Sequence, residues 1–198
     1  MKQLKTLMGA LALTLFTSLA AFAQLQSPAL SPAASVSQVV GFTKINIDYS
    51  SPAVKGRTIF GEIEKFGVSW RAGANAQTVI EFSTGVSVGG KNLRAGKYSI
   101  FMTPSQNGDW TVHLNNKAAS VFTYMKDGKI DEEALAKDDA VSFPAKTSKG
   151  GMTERLTYTI SAGDNKTATV TMAWENYSVS FPIDTQVDQK LEQFKSQF

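Results

Sequence analysis

Residues 57–75 hold the side chains of this sequence that are best suited to binding chemistry. Arg57 and Arg71 are permanent cations, Trp70 offers a broad aromatic face, and Asn75 carries an amide. Guanidinium groups bind carboxylates and phosphates through paired hydrogen bonds, and an indole can pack against a flat ligand surface. These four residues form the candidate ligand-binding site, for a small anion or a glycan. The alternative is structural: Trp70 fills the core, Arg71 binds loop carbonyls and Asn75 closes a turn.

Nucleophilic catalysis has little support in the sequence. His113 is the only histidine, and it alternates with Trp110, Val112 and Leu114, which are expected to face the core. His113 then lies on the polar face of its strand, where a solvent-facing or hydrogen-bonded role is expected rather than a catalytic one. No G-x-S-x-G motif accompanies it. We therefore predict no catalytic residue.

Metal and cofactor motifs are missing from the sequence as well. Zinc sites need several cysteines or histidines, and the chain has no cysteine. The segment Asp127 to Asp131 lacks the dense oxygen ligands of a calcium loop, and no phosphate-binding or dinucleotide fingerprint occurs. We predict neither a metal nor a cofactor.

A pair of carboxylates stays open as an alternative, because a glycosidase needs only two acidic side chains across a cleft. The available residues are Glu62, Glu64, Glu81, Glu154 and Glu175.

The elements that must position these side chains read as β-strands. The apolar residues Ile45, Ile47 and Tyr49 are separated by single polar residues, and the same alternation occurs at Val170 and Met172. Short turn sequences separate the runs, at Gly89-Gly90, Asn107-Gly108 and Glu175-Asn176. About ten strands at this spacing, with no recurring strand-helix-strand unit, predict an all-β fold, an antiparallel β-sandwich of jelly-roll-like type.

Two segments break the alternation and are expected to be helical. Residues 130–138 have acidic residues in the first turn and a lysine in the last, which predicts a short helix crossing the sandwich. Val187, Leu191 and Phe194 recur at helical spacing, which predicts a C-terminal helix packed on the domain. The expected organisation is a β-sandwich domain at 35–184 followed by this helix at 185–198.

The first 23 residues are typical of a secretory signal peptide. Lys2 and Lys5 precede an apolar run from Leu7 to Leu19, and Ala21 and Ala23 supply the small residues of a cleavage site. Residues 24–34 are rich in Ser, Pro and Ala and are expected to form a flexible leader. A periplasmic or secreted protein is therefore predicted, with no membrane span after cleavage because the apolar run is too short.

The charge of the chain argues against nucleic acid as a partner. Of 20 basic residues, Lys2 and Lys5 belong to the predicted signal peptide, which leaves 18 against 17 acidic residues. The remaining cations are scattered singly, so no basic patch can neutralise several phosphates at once.

The motif W-R-x-G-A-N-x-x-T from Trp70 to Thr78 resembles a family of exported bacterial proteins known only as a domain of unknown function. The resemblance covers most of residues 35–184; Arg94 stands where that family often has proline. It implies an exported all-β domain with no established activity, no cofactor and no catalytic residues. The positions that match its pattern are Tyr49, Pro52, Gly56, Arg57, Gly61, Trp70, Arg71, Gly73, Ala74, Asn75, Thr78, Gly96 and Tyr98.

Taken together, the sequence predicts an exported envelope protein that acts as a non-catalytic binding module. The expected partner is a small anion or a glycan. One alternative is a periplasmic scaffold that binds an envelope protein, and a second is a glycan hydrolase that uses a carboxylate pair.

Overall fold

The computed structural model describes residues 27–117 and 120–197. The predicted signal peptide, 1–23, and the first three residues of the predicted leader, 24–26, lie outside the described residues.

Eleven strands and two α-helices make up the described chain. The strands of the first half are β1 (Ala33–Val40), β2 (Thr43–Ser50), β3 (Val79–Phe82), β4 (Val86–Val88), β5 (Lys91–Leu93), β6 (Gly96–Thr103) and β7 (Trp110–Asn115). A 3-10 helix (Val121–Tyr124), β8 (Met125–Lys126), β9 (Lys129–Ile130) and α1 (Glu132–Asp138) follow, and then β10 (Asp139–Ala162), β11 (Thr167–Asp184) and α2 (Val187–Lys195). The predicted all-β fold with two helices is confirmed.

Nine antiparallel strands hydrogen-bond in the order β1-β2-β3-β6-β7-β10-β11-β4-β5, and β8 pairs with β9 separately. The long strand β10 joins two layers, since its first part pairs with β7 between Asp139 and Ala145 and its later part pairs with β11 from Lys146 onward. The first layer holds β1, β2, β3, β6 and β7, and the second holds β11, β4 and β5. This arrangement is the antiparallel sandwich that the alternation predicts.

The chain leaving β2 also reaches the second layer. Ala53 forms an antiparallel bridge with Arg155 of β10, and the Val54 amide donates to the Glu154 carbonyl at 2.8 Å. Residues 51–54 therefore lie along the later part of β10, beyond the point where its pairing with β7 ends. This keeps the backbone groups of both segments hydrogen-bonded.

One sequence interpretation of β11 is wrong. Glu175-Asn176 does not form a hairpin turn, because β11 runs through it as one strand of 18 residues. Glu175 adopts a left-handed backbone conformation (φ 54°). This irregularity shifts the alternation by one residue, so that Trp174 and Tyr177 both point into the core.

An aromatic cluster fills the core between the layers, and Phe60 lies at its centre. The ring centroid of Phe60 is 4.6 Å from that of Trp110, 5.2 Å from Tyr177, 5.7 Å from Trp174 and 5.9 Å from Trp70, all in edge-to-face geometry. Edge-to-face contacts place the positive rim of one ring against the negative face of the next.

Residues 120–138 form a cap on the outer face of the first layer. Val121, Tyr124 and Leu135 of the cap pack against Phe101 of β6 in a small second core. The side chain of Asp131 caps α1 by accepting from the Ala134 amide at 3.0 Å. The cap thus covers polar residues that the sequence pattern places on the exposed side of β6 and β7.

α2 is attached to the body mainly through a lysine. The Lys190 ammonium donates to Thr84 Oγ1 at 2.6 Å, to the carbonyls of Thr185 and Gly85 at 2.6 and 2.7 Å, and to Thr43 Oγ1 at 3.2 Å. The apolar residues of the helix are more exposed than the pattern suggests. Leu191 and Phe194 line an open hollow of about 410 Å³ together with Phe42 and Lys190. None of the helices in the described part of the chain is long and apolar enough to cross a membrane.

Candidate functional site

Arg57 follows a tight turn and borders an open hollow. Lys55 (φ 49°) and Gly56 (φ 68°) are both left-handed, and the Arg57 amide closes the turn by donating to the Val54 carbonyl at 3.1 Å. The guanidinium then folds back, with Nε donating to the Val54 carbonyl at 3.0 Å and Nη2 to the Ala53 carbonyl at 2.7 Å. The hollow of about 270 Å³ beside it is lined by Leu30, Ser31, Ala53, Lys55 and Arg57.

Asn75 is hydrogen-bonded to a residue that lines the same hollow. Its Nδ2 donates to the carbonyl of Ser31 at 2.9 Å, and Ser31 is one of the lining residues. Asn75 is left-handed (φ 53°), a conformation that asparagine tolerates better than most residues. Of the four predicted site residues, Arg57 and Asn75 are thus connected through one short segment.

Trp70 lies in the core. Its side chain is 5% exposed, and its ring stacks on Trp174 with centroids 5.7 Å apart and an interplanar angle of 25°. Its backbone pairs with Met102 of β6 in both directions, at 3.0 and 3.1 Å. The Nε1 atoms of Trp70 and Trp174 are both buried without a hydrogen-bond partner among the described residues.

Arg71 has a different environment from Arg57. Its Nε is buried without a hydrogen-bond partner in the described part of the chain, and its charge acts on Glu64. Burial raises the pKa of the Glu64 carboxyl above its ordinary value, and the positive charge of Arg71 partly opposes that rise. The structure therefore places Trp70 in the aromatic cluster and Arg71 near Glu64. Arg57 lines the hollow, and Asn75 is hydrogen-bonded to Ser31 of its lining.

The motif between these residues encodes a buried turn. Ala72 is left-handed (φ 50°), and its carbonyl accepts hydrogen bonds from Thr78 Oγ1 at 3.0 Å and from the Tyr158 hydroxyl at 2.9 Å. Gly73 leaves the space that Thr78 needs, since a Cβ at Gly73 would lie 2.5 Å from Thr78 Oγ1. The glycine and the threonine of this stretch thus each have a structural role in the turn.

A chain of hydrogen-bonded side chains, which we call the relay, lies between the cap and the first layer. His113 Nδ1 lies 2.7 Å from Asp139 Oδ2, and His113 Nε2 lies 3.0 Å from Thr103 Oγ1. Thr103 Oγ1 is 2.6 Å from Ser69 Oγ, which donates to Glu132 Oε2 at 2.7 Å. The Ser69 amide donates to the other carboxylate oxygen of Glu132 at 2.9 Å. His113 is therefore hydrogen-bonded on both ring nitrogens.

Sequence reasoning missed four members of the relay: Ser69, Thr103, Glu132 and Asp139. Alternation does place Thr103 and His113 on the outer face of their strands. The register that pairs Phe101 of β6 with His113, and Ser142 of β10 with His113, is not encoded in either strand alone.

Three of the five carboxylates considered for a glycosidase pair have partners within the fold. Glu154 Oε1 accepts from the Lys55 amide at 2.9 Å, Glu175 Oε1 accepts from the Ile59 amide at 2.9 Å, and Glu81 lies 3.7 Å from Lys97. Within the described residues, no group of three or more metal-ligating side chains is assembled.

The fold and these sites together define an antiparallel β-sandwich domain that carries a cationic hollow and a capped polar relay. The chain belongs to the DUF2911 family, described as proteins of unknown function, whose family model matches residues 31–183. The match covers the sandwich almost from end to end and stops before α2. No curated protein and no solved structure matches the sequence.

Proposed function

We propose that this protein is an exported envelope protein that binds a small anion, such as phosphate or a short carboxylate, in the hollow beside Lys55 and Arg57. Export is supported by the signal-peptide pattern of residues 1–23. The observation that carries the binding proposal is the fixed position of the Arg57 guanidinium at the hollow.

A guanidinium has five N–H donors, and two of those of Arg57 are engaged by the carbonyls of Val54 and Ala53. These two bonds hold the group in one orientation, so less conformational entropy is lost when an anion binds to the remaining donors. Lys55 adds a second cation to the lining. Its left-handed backbone is the kind of local strain that often occurs at binding sites.

An anion fits the hollow better than a glycan does. The lining contains no aromatic residue, and the predicted aromatic platform, Trp70, is buried in the core. The two nearby cations supply donors, which match a ligand that only accepts hydrogen bonds. Glu154 lies close to the turn through its bond to the Lys55 amide, so a ligand of modest charge is favoured.

Phosphate titration followed by amide chemical shifts tests the proposal. We expect shifts confined to residues 30–31 and 53–57, and we expect Lys55→Gln to weaken phosphate binding about tenfold, as for one charge-assisted hydrogen bond. Lys97→Gln is the matched control, because it removes the same charge at an exposed site that pairs with Glu81. Equal phosphate affinity of Lys55→Gln and the unmodified protein, or shifts spread over the whole surface, would refute the site.

A further inference from the structure

The relay under the cap has the geometry of a nucleophilic centre. We propose that Thr103, His113 and Asp139 form a catalytic triad that hydrolyses small, uncharged carboxylic esters. This activity goes beyond anion binding, because the hollow and the relay share no residue. A hydroxyl within hydrogen-bond reach of an imidazole that a carboxylate orients from the other side is the diagnostic arrangement of such centres.

Each residue has a role that follows from its contacts. The Asp139 side chain is only 6% exposed and accepts from His113 Nδ1 at 2.7 Å, which fixes the ring and the tautomer. His113 Nε2 then faces Thr103 Oγ1 at 3.0 Å as the general base. The His113 side chain is 12% exposed, so the centre lies at the border of the protein surface rather than in the core.

Thr103 is the nucleophile rather than its neighbour Ser69. Ser69 is 2% exposed, and its hydroxyl donates to Glu132. Thr103 is half-buried and is the only hydroxyl of the relay in contact with His113. Ser69 is therefore a positioning residue that acts through Thr103.

The reaction balances with water as the second reactant. Thr103 Oγ attacks the ester carbonyl carbon while its proton passes to His113 Nε2, and the new C–O bond gives a tetrahedral intermediate. The bond to the alcohol breaks, and His113 returns the proton to the leaving alkoxide. A water molecule then attacks the acyl-threonine and gives its proton to His113, which passes it to the released Thr103 hydroxyl.

The charges around the relay define the substrate class. Glu132 and Asp139 are the acidic groups at its two ends, so an anionic acyl group would be repelled. Because Thr103 and His113 are only partly exposed, a small acyl group meets the least obstruction. A neutral acetyl ester is therefore the substrate of choice for a test.

Hydrolysis of p-nitrophenyl acetate by the purified protein tests the proposal. We expect Thr103→Val to lower the rate at least about 100-fold. Thr159→Val is the control, since it removes an exposed hydroxyl from the part of β10 that pairs with β11, away from the relay. Thermal unfolding of each variant separates loss of fold from loss of chemistry.

A labelling experiment on the unmodified protein does not depend on any variant folding. A fluorophosphonate, or the acetyl group trapped by acid quenching, should be found by mass spectrometry on the peptide that contains Thr103. A Thr103→Val rate equal to that of the unmodified protein, or a label on any residue other than Thr103, overturns the triad.

Discussion

Glu64 and Arg71 show why a charged residue in a binding-like motif need not face a ligand. Arg71 follows the buried Trp70 and acts electrostatically on Glu64, which is half-buried. Burial disfavours the charged form of Glu64 more strongly than the attraction of Arg71 favours it, because the net direction of the pKa is upward. The pair therefore costs stability whenever Glu64 is ionised.

We predict that Glu64→Gln raises the melting temperature at neutral pH. Because the pKa of Glu64 is higher in the folded state than its ordinary value of 4.5, its contribution to stability is fully present below that value. The contribution is lost as the pH rises through the higher folded pKa. Differential scanning calorimetry from pH 3 to pH 8 should therefore show a higher melting temperature for Glu64→Gln than for the unmodified protein only in the upper part of this pH range.

Glu62→Gln is the control for this titration, since Glu62 is exposed two residues away. A lower melting temperature of Glu64→Gln at neutral pH would mean that the attraction of Arg71 outweighs the effect of burial on the Glu64 carboxyl, and it would contradict the prediction.

The attachment of α2 relies on polar side chains: Asp188 pairs with Lys166 at the surface at 2.8 Å, and Lys190 reaches further into the body. Lys190 reaches the Thr43 and Thr84 hydroxyls and the carbonyls of Gly85 and Thr185. Burial lowers the pKa of its ammonium, and Asp184 partly opposes that effect. Gly41 (φ 56°) lies beneath Val187 of the helix, where a larger residue would collide with it.

We predict that Lys190→Met loosens α2. The substitution keeps the length of the side chain but leaves several partly buried acceptors without their donor, which should cost about 1–3 kcal/mol. Hydrogen exchange of the amides in 187–195 should become faster. Lys195→Met is the matched control, because Lys195 pairs only with Glu192 at the exposed surface of the same helix. Unchanged exchange in Lys190→Met would assign the attachment to other contacts.

The sequence predicts most of the elements because their signals are local. Alternating side chains indicate the strands, Asp131 and the acidic first turn indicate α1, and Gly89-Gly90 indicates the turn between β4 and β5. The relay could not be predicted, because it depends on the register of β6, β7 and β10 and on a cap that folds over them. The continuity of β11 was missed because Glu175-Asn176 has the composition of a turn, and pairing with β10 overrides that preference.

At the scale of the whole molecule, the two layers share the longest strand, β10, and one aromatic cluster. β10 has 24 residues and pairs in both layers, and Trp70, Trp110 and Trp174 are all nearly inaccessible to solvent. Neither layer can therefore separate without breaking the pairing of β10 and exposing these rings. The two layers should behave as one cooperative unit.

We predict a single unfolding transition in urea. Tryptophan fluorescence reports the aromatic cluster, and far-UV circular dichroism reports the strands of both layers, so the two midpoints should coincide. A fluorescence midpoint clearly below that of circular dichroism would show that the cluster opens while the sheet persists.

Because Phe60 lies in it, the segment between β2 and β3 is a poor place for deletions or insertions. Surface connections normally accept deletions and inserted sequences, because little of the interior depends on them. Here the connection contributes the ring that three tryptophans and Tyr177 surround or adjoin, so trimming it to a short turn would remove the middle of the hydrophobic interior. Grafted peptides or reporter tags are better placed at Gly163, in the turn between β10 and β11, where the glycine has open space around it.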